Sequence, residues 1–232
     1  MLTEPPAASA TGFYAEMRRE ADPIFEAIFR HPMVVELCAG SLPEAKWAYY
    51  LAQDYQYLRD FKQALGLCLP HLETPREIFQ WIDRIASLAD LEAARHLTWA
   101  RRLGLSQHDL LAAEPDPMSL VYRQHMLLAA HRGPGELLAA QTPCPTTYTD
   151  IADRAADRVP DHPTYGEWVR SYSSRLNEEL AERRTWWWET LDRLAAEASP
   201  AQLARMRVNF IRSCKYEWMF WDMAYHMRGW PV

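Results

Sequence analysis

The longest uninterrupted pattern in this chain is helical. From Ser41 to about Leu69, apolar and aromatic residues recur at three- and four-residue intervals, through Trp47, Tyr50, Leu51, Tyr57, Leu58, Phe61 and Leu65. Ser41-Leu42-Pro43-Glu44 precedes it as a start signal: Ser41 is placed to cap, Pro43 sits in the first turn, and Glu44 completes a box-like pattern. One carboxylate falls on the stripe. Asp54 shares its face with Tyr50 and Tyr57, four residues before and three after.

The same period governs the rest of the chain. Thr11 to Arg30 reads as one amphipathic helix carrying Phe13, Met17, Ala21, Ile24, Phe25 and Ile28, and His31-Pro32 ends it. A short helix from Met33 stops at Gly40. Pro70 and Pro75 bracket a turn, and from Ile78 to Leu103 the pattern predicts a long helix with a break near Ala89-Asp90. A helical piece follows around His108 to Ala113, and further helices run from Ser119 to Ala130 and from Glu136 to Gln141. Another begins at Cys144 and closes before Pro160 and Pro163. Tyr165 to Glu197 reads as one long helix, with Trp186-Trp187-Trp188 at the edge of a packed face or an oligomer contact. Ser199-Pro200 opens the last helix, to about Met227.

No strand is convincing, and only 8 glycines interrupt a chain that is 49% hydrophobic, so the fold is expected to be all-α. Short connections imply antiparallel neighbours in a single-domain helical bundle over residues 1–232, with 1–10 as a flexible N-terminal extension.

Charge and cysteine usage narrow the functional classes. A net charge of −6 argues against nucleic-acid binding. Cys38, Cys68, Cys144 and Cys214 are widely spaced, which fits neither a zinc site nor a disulfide framework and suits a reducing, cytoplasmic setting. No apolar run spans a membrane, and Met1 to Ala10 lacks the pattern of a secretory signal. His96 follows Glu92 by four and His226 follows Asp222 by four, yet no full metal-ligand set emerges, so no metal is expected. Nor is there a Gly-rich phosphate loop or a Gly-x-Ser-x-Gly elbow.

Two residues look chemically active. In Pro143-Cys144-Pro145-Thr146-Thr147-Tyr148, Pro145 suits the first position of a helix, which would put the Cys144 thiol at or beside an N-terminus. The dipole there favours a thiolate, and Tyr148 lies one turn on along the same face. Glu217 sits in Tyr216-Glu217-Trp218-Met219-Phe220-Trp221, a segment apolar nearly all round and therefore buried. A carboxylate there snorkels, pairs with a base such as Lys215 or Arg212, or lines a cavity, where burial would suit it to acid/base work. Asp54 presents the same alternatives, including that of an ordinary buried hydrogen-bonded residue.

Four blocks, in order and with similar spacing, resemble the TenA/thiaminase II family. The first is His31-Pro32, Gly40-Ser41-Leu42-Pro43 and Tyr49 through Leu58. The second is Pro143-Cys144-Pro145 with Tyr148, and the third is His162-Pro163, Trp168 and Tyr172. The fourth is Tyr216-Glu217, Phe220-Trp221, Met223-Ala224-Tyr225 and Gly229-Trp230. The resemblance runs from about His31 to Trp230 and implies the haem-oxygenase-like fold. It also implies that Cys144 is the nucleophile, Glu217 the acid/base, and Asp54 the group on the amino and nitrogen edge of a pyrimidine. Tyr57, Tyr148 and Tyr172 would orient these groups or stack on the ring, with Tyr122 a further pocket tyrosine. Thr146 and Thr147 depart from the family, which often has an aromatic residue there. So does Ser173-Ser174-Arg175-Leu176.

The resemblance implies a cofactor-free hydrolase, commonly tetrameric, acting at the exocyclic methylene of a 4-amino-2-methylpyrimidine in thiamin salvage. Its partners would be a small-molecule pyrimidine and further copies of itself, with neither nucleic acid nor membrane. The rival readings are a non-catalytic pyrimidine-binding or regulatory protein, and an oxidative member of the same superfamily.

Overall fold

Proline and a capping side chain together set where many of the helices start. The computed structural model describes residues 11–88 and 93–232. The expected N-terminal extension, the break near Ala89-Asp90 and Glu92 lie outside the described residues. Within them every regular element is helical: α1 (Phe13–Glu20), α2 (Asp22–Phe29), α3 (Pro32–Ala39), α4 (Glu44–Cys68), α5 (Pro75–Ser87), α6 (Ala93–Arg102), α7 (Gln107–Ala112), α8 (Pro117–Ala130), α9 (Pro134–Gln141), α10 (Pro143–Ala155), α11 (Pro163–Tyr172), α12 (Glu178–Glu197) and α13 (Pro200–His226). None of the described helices is long and apolar enough to cross a membrane.

The starts are chemically legible. Thr74 and Glu77 form a capping box at α5, with Pro75 at the first helical position. Ser106 and Asp109 do the same at α7, and Ser199 and Gln202 close the equivalent ring at α13. Two caps are histidines. His31 Nδ1 accepts from Met33 N–H at the start of α3, and His162 Nδ1 accepts from Thr164 and Tyr165 N–H, both at 3.2 Å, at the start of α11.

Three boundaries differ from expectation. The helix predicted over Thr11 to Arg30 breaks at Ala21, because Pro23 has no N–H and its ring crowds the carbonyl one turn back. Ser41 does not cap α4. Its N–H closes α3 onto Glu36 O at 2.9 Å while Gly40, at φ 75°, donates to Leu37 O at 3.1 Å. This is the Schellman closure, and it leaves Pro43, in extended conformation, as the residue before α4. The helix predicted over Tyr165 to Glu197 is two, α11 and α12. Asp153 accepts the hydroxyls of Ser173 at 2.7 Å and Ser174 at 2.6 Å and the Arg175 N–H at 3.1 Å, drawing this turn out of helical pairing. Asn177 then caps α12 by accepting from Leu180 N–H.

The described chain divides into two compact units. One comprises the chain up to Leu42 with Leu138–Asp222, the other Pro43–Leu137 with Met223–Val232. In the first, α10 packs on α11 and α3, and α1 on α12. Met17, Phe25, Ile28, Ile151, Trp168, Leu191 and Phe210 are among its buried core residues. Trp187 is buried there and Trp188 stacks on Tyr14, so the Trp run belongs to a packed face of this unit. In the second unit α4 is the central element, contacting α5, α6, α7 and α8. Its buried stripe of Trp47, Tyr50, Leu51, Tyr57, Leu58, Phe61 and Leu65 follows the predicted period.

Candidate active site

In the first unit, α10 starts earlier than expected. Pro143, not Pro145, is its first residue, and Thr142 before it is already right-handed helical. Cys144 therefore sits inside the first turn, nearly buried at 9% exposure. Neither flanking proline has an amide hydrogen, and Thr146 N–H is spent on Thr142 O at 3.3 Å. The turn thus offers the sulfur fewer backbone donors than an ordinary helix start.

Three helices of this unit each carry a pair of these residues one turn apart: Cys144 and Tyr148 on α10, Trp168 and Tyr172 on α11, Glu217 and Trp221 on α13. Their rings touch. Tyr148 lies 5.3 Å from Tyr172, 5.9 Å from Trp168 and 5.2 Å from Trp221, and Trp168 lies 5.1 Å from Tyr172. Glu217 is 2% exposed and follows Cys214 by three residues. Burial first, then the Glu217 charge, raises the Cys214 thiol well above its ordinary value. Burial likewise pushes Cys38 and Cys68 up to about 12, so these three sulfurs are poor nucleophiles.

Thr146 and Thr147 face inward and are fully buried. Thr146 Oγ1 donates to Thr142 O at 2.9 Å and lies 3.4 Å from Tyr14 OH, and burial raises that phenol. Thr146 therefore ties α10 to α1. Thr147 Oγ1 has no hydrogen-bond partner among the described residues.

The second unit holds Asp54, Tyr57 and Tyr122. Asp54 is 2% exposed on α4, with Oδ2 accepting from Tyr50 OH at 3.1 Å and 2.6 Å from His96 Nε2 of α6. The rings of Tyr57 and Tyr122, from α4 and α8, lie 5.0 Å apart. Sequence reading missed His96 as a partner of Asp54. A pair 42 residues apart leaves no spacing signal, and the only hint was a histidine on the buried face of α6 with Trp99 and Ala100. Among the described residues no three His, Cys, Asp or Glu side chains gather to hold a metal ion.

Within the first unit, a buried thiol in a helix's first turn, a cluster of rings and the buried Glu217 are the residue types that covalent and acid/base chemistry uses. The fold is the all-α, haem-oxygenase-like class. A heme oxygenase-like domain from Shewanella denitrificans superposes at a TM-score of 0.72 over 92% of this chain and 92% of its own, at 12% identity. The chain belongs to the TENA/THI-4/PQQC family, whose profile matches residues 18–227. It is similar to the aminopyrimidine aminohydrolase of Halalkalibacterium halodurans, 34% identical over 221 residues, covering 94% of this chain and 97% of that one. A TenA homologue from P. horikoshii OT3 superposes at a TM-score of 0.84 with 29% identity, covering 93% of this chain and 99% of the other.

Proposed function

We propose that this protein is an aminopyrimidine hydrolase that cleaves the exocyclic methylene C–N bond of a 4-amino-2-methylpyrimidine, turning an aminomethyl group into a hydroxymethyl group for thiamin salvage. The observation that carries the reading is the similarity, over 94% of the chain, to an aminopyrimidine aminohydrolase. The buried Cys144, Tyr148 and Tyr172 agree with it.

In this reading Cys144 adds to the pyrimidine ring as a thiolate, and the amine leaves with a proton managed by Glu217. Water then takes the amine's place at the methylene carbon, and the Cys144 sulfur is released. Asp54 binds the amino and nitrogen edge of the ring, while Tyr57, Tyr122, Tyr148 and Tyr172 orient groups or stack on it. The protein works in the cytoplasm as a single-domain homotetramer; family resemblance supports the oligomer.

A product assay with aminomethylpyrimidine and with thiamin, on wild type and Cys144→Ala, tests the proposal. Hydroxymethylpyrimidine from the wild type alone is the expected result. Absence of product from both substrates would overturn it.

A further inference from the structure

Asp54 ends in a torsion that is intrinsically loose, since the rotation of an aspartate carboxyl about χ2 is broad and two-fold rather than staggered. In this protein it is held. Tyr50 OH and His96 Nε2 converge on the same oxygen, Oδ2, at 3.1 Å and 2.6 Å. The first comes from one turn back on α4 and the second from α6, so two independent directions fix the carboxylate plane. The imidazole contact, at 2.6 Å, is short for a nitrogen–oxygen hydrogen bond.

The two partners are themselves immobilised. Trp47 stacks on Tyr50 with centroids 4.8 Å apart and planes at 21°. Trp99 lies 5.4 Å from His96 and 5.8 Å from Trp47, closing the layer, and His96 is wholly buried. A functional group held by partners that are locked by packing is the arrangement recognition of a planar ligand requires.

We propose that His96, assisted by Tyr50, is a positioning residue that sets the carboxylate plane of Asp54 for the amino-and-nitrogen edge of the pyrimidine, and so governs selectivity for an amino over an oxo ring. This rests on the role given to Asp54 above. The ligand class is an aromatic amidine, in which an exocyclic N–H donor sits beside a ring nitrogen. An oxo isostere presents an acceptor and a ring N–H instead, and so meets a fixed carboxylate with the wrong pattern.

Steady-state kinetics on the full-length protein test the proposal, using the aminomethyl substrate and its 4-oxo counterpart. His96→Leu is expected to raise KM for the amino substrate about tenfold or more with a smaller effect on kcat, as loss of ground-state binding does. Its preference for the amino ring should fall by a similar factor. His96→Gln, whose side-chain amide offers a donor near the position of Nε2, should recover KM to within about threefold, a rescue that mere packing would not produce. Tyr50→Phe removes the other donor from the same oxygen and should shift KM in the same direction, which decides the matter should His96→Leu fail to fold. An active wild type whose KM and amino/oxo preference survive in His96→Leu, or in Tyr50→Phe if the first variant does not fold, overturns the positioning role. A wild type that turns over no aminopyrimidine overturns instead the function on which it rests.

Discussion

The rings of Tyr148 and Tyr172 meet edge to face, with centroids 5.3 Å apart and planes at 61°. Tyr148 stands one turn beyond Cys144, so this contact carries the position of the thiol's helix onto α11. Truncating Tyr172 to alanine should cost about 3–5 kcal/mol, the range for deleting a buried aromatic side chain. Tyr172→Phe keeps the aromatic contact, itself worth about 0.5–1.5 kcal/mol, and should unfold close to the wild type. Denaturant titration of the two variants separates them; equal losses would mean that the hydroxyl, not the ring, holds the wall.

Glu217 makes a second case, because it is buried on a helix face lined by rings rather than exposed beside Lys215. If it manages protons, Glu217→Gln should lower kcat by about 10²–10⁴-fold, the usual contribution of a positioned acid or base, while KM moves little. Cys144→Ala should abolish turnover with the helical circular dichroism unchanged. Retained activity in either variant removes that residue from the mechanism.

Much of this arrangement was open to reading in one dimension because its parts repeat locally. Cys144 with Tyr148, and the stripe of α4 through Asp54, follow from helical spacing alone. What stayed hidden depends on partners distant in sequence. The break after Tyr172 is set by Asp153, some 20 residues earlier, and the carboxylate of Asp54 is pinned by a histidine 42 residues later. Ser41 misled for a different reason. A serine before a helix looks like a cap, but its backbone was already committed to closing the helix behind it.

Asp153 supports a stability prediction. It is fully buried and accepts from Ser173, Ser174, the Arg175 backbone and, at 3.2 Å, Arg184. Arg184 also reaches the buried Asp150 at 2.7 Å. Removing Asp153 takes the shared acceptor from the two hydroxyls and the Arg175 N–H and leaves the buried Arg184 with Asp150 alone, so Asp153→Ala should cost about 3–5 kcal/mol. That corresponds to a fall in Tm on the order of 10 °C for a chain of this size. Thermal melts of Asp153→Ala and Asp153→Asn check it; an unchanged Tm in the alanine variant would show that the turn between α11 and α12 is held some other way.

Cys68 links stability to alkaline pH. Burial pushes its thiol up to about 12, and its Sγ–H donates to Ala130 O at 3.7 Å. In the unfolded chain a cysteine titrates near about 8.5. The folded value is raised, so the stabilisation is complete below the unfolded value and is lost as pH climbs from there toward the folded one. Within that window each such thiol costs about 1.4 kcal/mol per pH unit. Cys68→Ala should be less stable than the wild type at neutral pH, because it leaves a small cavity. Its unfolding free energy should nevertheless fall less steeply above about pH 9, by about 1.4 kcal/mol per unit. Urea denaturation of both proteins in reductant, across this range, measures the two slopes directly. Parallel alkaline limbs would mean that the Cys68 thiol ionises as readily in the folded protein as in the unfolded chain.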